Sequence, residues 1–148
     1  DLPYPYMLEL AHYEWVELAC SVAVTNEQLT TDISALDFNS PLSVSEAVMP
    51  VTYQYPVHTI SAENASNIDP ESTSLVVYRD IDDEVQFMLV DALSIVCLQL
   101  IQQQSLITAN ELISSVNQMN PALSKEQLMG FMQQAFTEFL RLNILIIE

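Results

Sequence analysis

The stretch SLVVYRDIDDEVQFMLVDALSIVCLQLIQQ changes its apolar period part-way along. Residues 74–79 and 84–90 carry a strand pattern, with Val85, Phe87 and Leu89 alternating with Gln86 and Met88 across an Asp-rich turn. From Asp91 onward the pattern turns helical, and Asp91 stands where an N-cap is needed. A hairpin followed directly by a helix restricts the chain to an α+β arrangement.

The flanking segments extend this reading. At the N-terminus, Leu8, Ala11, Trp15, Leu18 (or Ala19) and Val22 recur at helical spacing, which predicts a helix over 5–23 with that stripe facing the core. Glu9, His12 and Glu17 are left on other faces. Residues 25–41 are polar and rich in capping residues, and read as a short helical turn or irregular chain. The β-branched and aromatic run over 42–60 reads as two short strands, and Pro50 and Pro56 confine them to a sheet edge or a strand end. A polar loop follows over 61–73.

Thr108 with Glu111, and Ser124 with Gln127, are capping boxes that start helices near 109–118 and 125–142. NILIIE closes the chain in extended form. The expectation is one domain over 1–148: an N-terminal helix within 1–24, a small antiparallel sheet or hairpin from 42–60 and 74–90, and a C-terminal three-helix unit over 91–148. Because the chain starts at Asp1 and not Met, it is expected to be the C-terminal domain of a longer protein.

Charge narrows the range of ligands. Three Lys and Arg residues face twenty Asp and Glu, for a formal net charge of −17. Nucleic-acid binding relies on cations that displace counterions from phosphates. A field this negative repels nucleic acid and anionic membranes over a Debye length of about 8 to 10 Å. Neither is therefore an expected partner. The longest apolar runs are too short to span a bilayer. Cys20 and Cys97 sit in apolar runs and read as buried thiols, so a reducing, cytoplasmic setting is expected.

The phrase ELAHYEW raises the question of a metal. As a helix it puts Glu9 and His12 three apart, half of a carboxylate-bridged di-iron motif. The other half is missing, because the one further histidine, His58, lies in a predicted strand without a matching Glu. The acids Asp80, Asp82, Asp83 and Glu84 lack the loop length and glycine of an EF-hand. The only glycine, Gly130, falls inside a predicted helix, and so the chain has no phosphate-cradling loop. No nucleophile elbow is present either. The chain is expected to be a non-enzyme, with no metal and no cofactor.

Two stretches resemble a known family. PYPYMLELAHYEWVELA resembles the N-terminal helix of the C-terminal domain in HvfC/BufC-type proteins. SLVVYRDIDDEVQFMLVDALSIVCLQLIQQQSLITANELI resembles the strand, acidic turn, strand and helices that follow there. In that family an N-terminal helical domain labelled as DNA-binding precedes this region, and Asp82-Asp83 replace the usual turn glycine. The resemblance implies a recognition subunit that works with a DUF692-type multinuclear iron oxidase on a ribosomally made precursor peptide, with the iron held by the oxidase.

The order strand, strand, helix, helix, helix also resembles the PqqD-like winged-helix element, which binds a leader peptide by strand addition. Carried over by position, the peptide or partner contacts are Tyr78, Arg79, Phe131, Gln134 and Phe139. Leu8, Glu14 and Trp15 are a structural signature, with Leu8 and Trp15 expected to clamp the N-terminal helix onto the sheet. Two alternative functions are a DNA-binding transcriptional regulator, which the charge opposes, and an oligomerisation module in which ILII pairs between chains.

Overall fold

The computed structural model describes residues 4–24, 36–104 and 106–147, so residues 25–35 of the polar 25–41 segment lie outside the described residues. In chain order the elements begin with helix α1 Met7–Val22, strands β1 Pro41–Val44 and β2 Val48–Tyr53, and a 3-10 turn Val57–Thr59. Strands β3 Thr73–Arg79 and β4 Val85–Leu89 follow. The remainder is α2 Ala92–Gln104, β5 Ile107–Thr108, α3 Ala109–Met119, α4 Lys125–Arg141 and β6 Leu145–Ile147. The fold is α+β, and the described residues form two antiparallel three-stranded sheets of order β2-β3-β4 and β5-β1-β6.

The chain divides into two compact units. The first comprises Asp1–Ala23 and Ala47–Ile95, and holds α1 and the β2-β3-β4 sheet. Its centre is β3, buried from Thr73 to Tyr78, which accounts for the continuous apolar run SLVVY: a central strand is covered on both faces. Tyr6, Tyr13, Val16 and Cys20 from the α1 segment pack against Leu75 and Val77 of β3, with Tyr53 and Val57 completing the cluster. Each fully buried aliphatic or aromatic side chain of this kind contributes about 1.5 to 3 kcal/mol.

The hairpin turn between β3 and β4 is built by Asp80. Its carboxylate accepts the backbone N–H groups of Asp82 and Glu84 and the side-chain amide of Gln86. These bonds, Glu84 first, hold the Asp80 carboxyl below its ordinary range. Asp83 takes the left-handed backbone conformation, φ 62°, that the turn requires after its first bend. The acid cluster is thus a turn organised by its own hydrogen bonds.

The second unit, Val24–Glu46 and Val96–Glu148, holds β1, β5, β6, most of α2, and α3 packed on α4. Both expected capping boxes are present, Thr108 with Glu111 and Ser124 with Gln127. Helix α4 ends in a Schellman pattern: Ile144 N–H donates to the Phe139 carbonyl and Asn143 N–H to that of Leu140, with Asn143 left-handed at φ 59°. That reversal sends Ile144 and Leu145 into the interior and pairs β6 with β1, Val44 opposite Leu145.

Two expectations need correction. The two strands of 42–60 exist but belong to different sheets. His58 lies in the 3-10 turn and not in a strand, because Pro56 ends the extended run with an N–H-free residue. The terminal ILII run pairs with β1 inside the chain and forms the outer strand of the β5-β1-β6 sheet.

Gly130 sits within α4, and a Cβ added there meets nothing within 4 Å. Gly130→Ala is expected to stabilise the chain by about 0.5 to 1 kcal/mol by lowering the entropy of the unfolded backbone. The shift in urea midpoint at unchanged slope measures it.

Candidate functional site

The sheet β2-β3-β4 has two outer strands, β2 and β4, and their outer sides differ. Asp80 N–H donates to the Glu84 carbonyl at 2.9 Å and Val90 N–H to that of Ser74 at 3.0 Å, which sets the phase of the β3–β4 ladder. With Tyr78 opposite Gln86 and Val76 opposite Met88, the even-numbered residues of β4 turn their backbone groups toward β3. Val85, Phe87 and Leu89 therefore present N–H and C=O groups to the outside. Among the described residues no strand pairs with that edge.

At the opposite edge, the bond from Arg79 N–H to the Ala47 carbonyl puts Val48, Pro50 and Thr52 outward. Pro50 has no N–H to offer, and so the β2 edge is blunted. β4 contains no such block. Phe87 is 49 % and Leu89 62 % exposed, so apolar side chains flank the open backbone. The Phe87 ring meets the His58 ring edge-on at 5.4 Å. The His58 Nδ1 atom is buried without a hydrogen-bond partner, and burial lowers the imidazole pKa, opposed by the Glu71 charge. An extended chain laid along β4 would find three alternate residues ready to continue the ladder.

The sheet is held in place from α1. The Glu9 carboxylate accepts the Gln54 N–H at 3.0 and 2.8 Å and the Tyr55 N–H at 3.0 Å, gripping the chain just beyond β2. One turn later, His12 Nδ1 lies 2.8 Å from the Tyr53 hydroxyl. At the far end of α1, Arg79 donates to the carbonyls of Cys20 and Ser21, a cation placed on helix-terminal acceptors by a neighbouring strand. The Cys20 thiol donates to the Ala47 carbonyl at 3.1 Å. Burial pushes that thiol up, and the Arg79 charge partly offsets the effect.

ELAHYEW is thus an anchoring phrase, with Glu9 and His12 each engaged by β2 or the residues after it. Among the described residues no group of three or more His, Cys, Asp or Glu side chains is placed to hold a metal ion.

The residues carried over by position scatter. Tyr78 and Phe139 are core side chains, Phe131 is half-buried and Gln134 is exposed. Arg79 is spent on α1 and on a surface ion pair with Asp83 at 3.5 Å. Tyr78 and Arg79 lie in the first unit, and the three α4 residues in the second.

The expected clamp by Leu8 and Trp15 is overturned, because both point to solvent on the outer face of α1. Tyr13, Val16 and Cys20 do the packing instead. The signal for them was a second apolar stripe on the same helix, weakened to the eye by tyrosine hydroxyls; that of Tyr6 donates to the Ala65 carbonyl.

The β3–β4 hairpin, the helix capped by Asp91 and the two capping-box helices follow one another in the sequence, and residues 45–140 match the family described as HvfC C-terminal domain. The chain belongs to that family. The HvfC match includes the whole β2-β3-β4 sheet and nearly all of α4, whereas α1 precedes it. A comparison with curated proteins finds no match. No helix among the described residues is long and apolar enough to cross a membrane.

Two predictions test the anchoring. Glu9→Ala should cost about 1.5 to 3 kcal/mol, the usual worth of hydrogen bonds to a charged group, and Glu9→Gln about half as much. Urea denaturation reads both. Burial, with the Glu17 charge adding to it, pushes the Tyr13 phenol up to about 12. An unfolded phenol ionises near pH 10. Between roughly pH 10 and 12 the unfolded chain releases a proton that the folded chain keeps, so stability present below that window falls as pH rises through it. Tyr13→Phe should flatten that fall, measured by urea midpoints across the window.

Proposed function

We propose that this HvfC-type domain is a non-catalytic recognition subunit, which binds a precursor peptide and delivers it to a peptide-modifying iron oxidase of the DUF692 type. The observation that carries this reading is the open β4 edge: outward backbone groups at Val85, Phe87 and Leu89, no proline, and exposed Phe87 and Leu89 beside them. Strand addition draws affinity from the backbone and selectivity from alternate side chains. The anchors on Glu9 and Arg79 support the reading, since a rigid sheet spends little entropy when a peptide orders on it. Membership in the HvfC C-terminal domain family supports it further.

In this reading the iron and the oxidative chemistry belong to the partner, and the domain supplies position. The surface charge of −17 favours a peptide or partner face that is neutral or basic. It also argues against DNA as the ligand. Of the two exposed cations on α4, Lys125 and Arg141, Arg141 is already paired with Glu138.

The test is co-expression with the oxidase and precursor, followed by light scattering of the purified complex and peptide titration. Leu89→Pro removes an outward N–H without taking a bond from the β3 ladder. It should weaken precursor binding by about tenfold or more, equivalent to about 1.4 kcal/mol, while Leu89→Ala keeps most of the affinity. Equal binding by the two variants would rule out the β4 edge. Separate elution of the domain and oxidase, with precursor present, would sink the recognition-subunit reading.

A further inference from the structure

The overturned clamp leaves α1 with an apolar face that has nothing to do in packing the sheet. Leu8, Ala11, Trp15, Leu18 and Val22 alternate by three and four residues, the a and d spacing of a coiled-coil seam over about two heptads. Leu8 is 73 %, Trp15 57 %, Leu18 61 % and Val22 67 % exposed. Single exposed leucines are ordinary, but a continuous stripe with a tryptophan at its middle is the composition of a partner-binding surface. We propose that this seam docks an amphipathic helix of another protein whose apolar stripe is flanked by Lys and Arg.

Three observations support that occupant. The helix cannot roll to bury the stripe itself. Its other face is committed to Leu75 and Val77, and Glu9 and Arg79 fix it at both ends. The seam is therefore presented ready-ordered, which lowers the cost of docking.

The flank next to Trp15 and Leu18 carries the exposed Glu14, at a position beside the seam, and α1 contains no Lys or Arg. A facing helix with cations at its flanking positions would neutralise that carboxylate and meet the strongly negative chain, as charge pairs do in coiled coils. A second copy of this chain would bring another formal charge of −17 and the same acidic flank, and an anionic membrane surface would be repelled for the same reason. The inference concerns α1 alone and stands apart from the β4 edge.

The chain holds a single tryptophan, Trp15, so its fluorescence reports on the seam directly. The probes are two synthetic helical peptides with the same Leu and Ile stripe, one flanked by Lys and one by Glu. In the free chain Trp15 should be open to acrylamide quenching. The Lys-flanked peptide should shield it and shift its emission to the blue, with affinity about tenfold or more above that of the Glu-flanked peptide and falling as salt is raised.

Leu18→Glu should abolish the shielding while the circular dichroism and urea midpoint stay as in the parent chain. Glu14→Lys should weaken the preference for the Lys-flanked peptide severalfold. Leu89→Pro should leave the shielding intact, which separates this seam from the strand edge. The proposal is overturned if Trp15 is already shielded in the free monomer, if neither peptide shields it, or if both do so equally. It is likewise overturned if sedimentation shows the chain occupying the seam with a second copy of itself.

Discussion

The grip of the Glu9 carboxylate on the Gln54 and Tyr55 amides sets the rotation of α1, and much of the first unit follows from that rotation. α1 carries two apolar faces, and the sheet can cover one. With Glu9 held at the end of β2, Tyr13, Val16 and Cys20 turn inward onto Leu75 and Val77, and Leu8, Trp15, Leu18 and Val22 turn outward. Area alone does not decide between the faces, since either would bury several large side chains. A carboxylate accepting three backbone contacts favours one of them by an amount comparable to burying a whole side chain. Arg79 repeats the logic at the other end of the helix.

A scarcity of glycine shapes the rest. Turns that commonly use glycine at left-handed positions are made here by Asp83 and Asn143, and Leu106 also has φ 59°. Asp and Asn tolerate that conformation through their short polar side chains. The single glycine stands in the open face of α4, where nothing approaches it. Acidic residues thus do local structural work as well as setting the net charge, and Asp80, Asp83 and Asp91 each organise a turn or a helix start.

Much of the fold was legible in the chain. The hairpin, the helix after Asp91 and both capping boxes depend on residues within a few positions of one another, and local hydrogen-bond chemistry fixes them. Pro50 announced an edge strand and became one. The pairing of β1 with β5 and β6 was not legible, because two-residue and three-residue strands carry no period, and their partners lie across the whole second unit. The site fared less well: Tyr78 and Phe139, read as contacts, turned out to be core. Phe87 and Leu89 were placed correctly on a strand, yet nothing local showed that β4 would end the sheet.

By itself the sequence determined the element types, their caps and turns, and a strongly negative net charge, because each of these depends on neighbours in the chain or on a simple sum of charge. Only the tertiary structure decided which face of α1 meets the sheet and which strand is left with an open edge. The first is a competition between two faces of similar apolar content, settled by long-range polar contacts, Glu9 to Gln54 and Arg79 to Cys20, and the second follows from strand pairings between distant segments, neither of which a local pattern encodes.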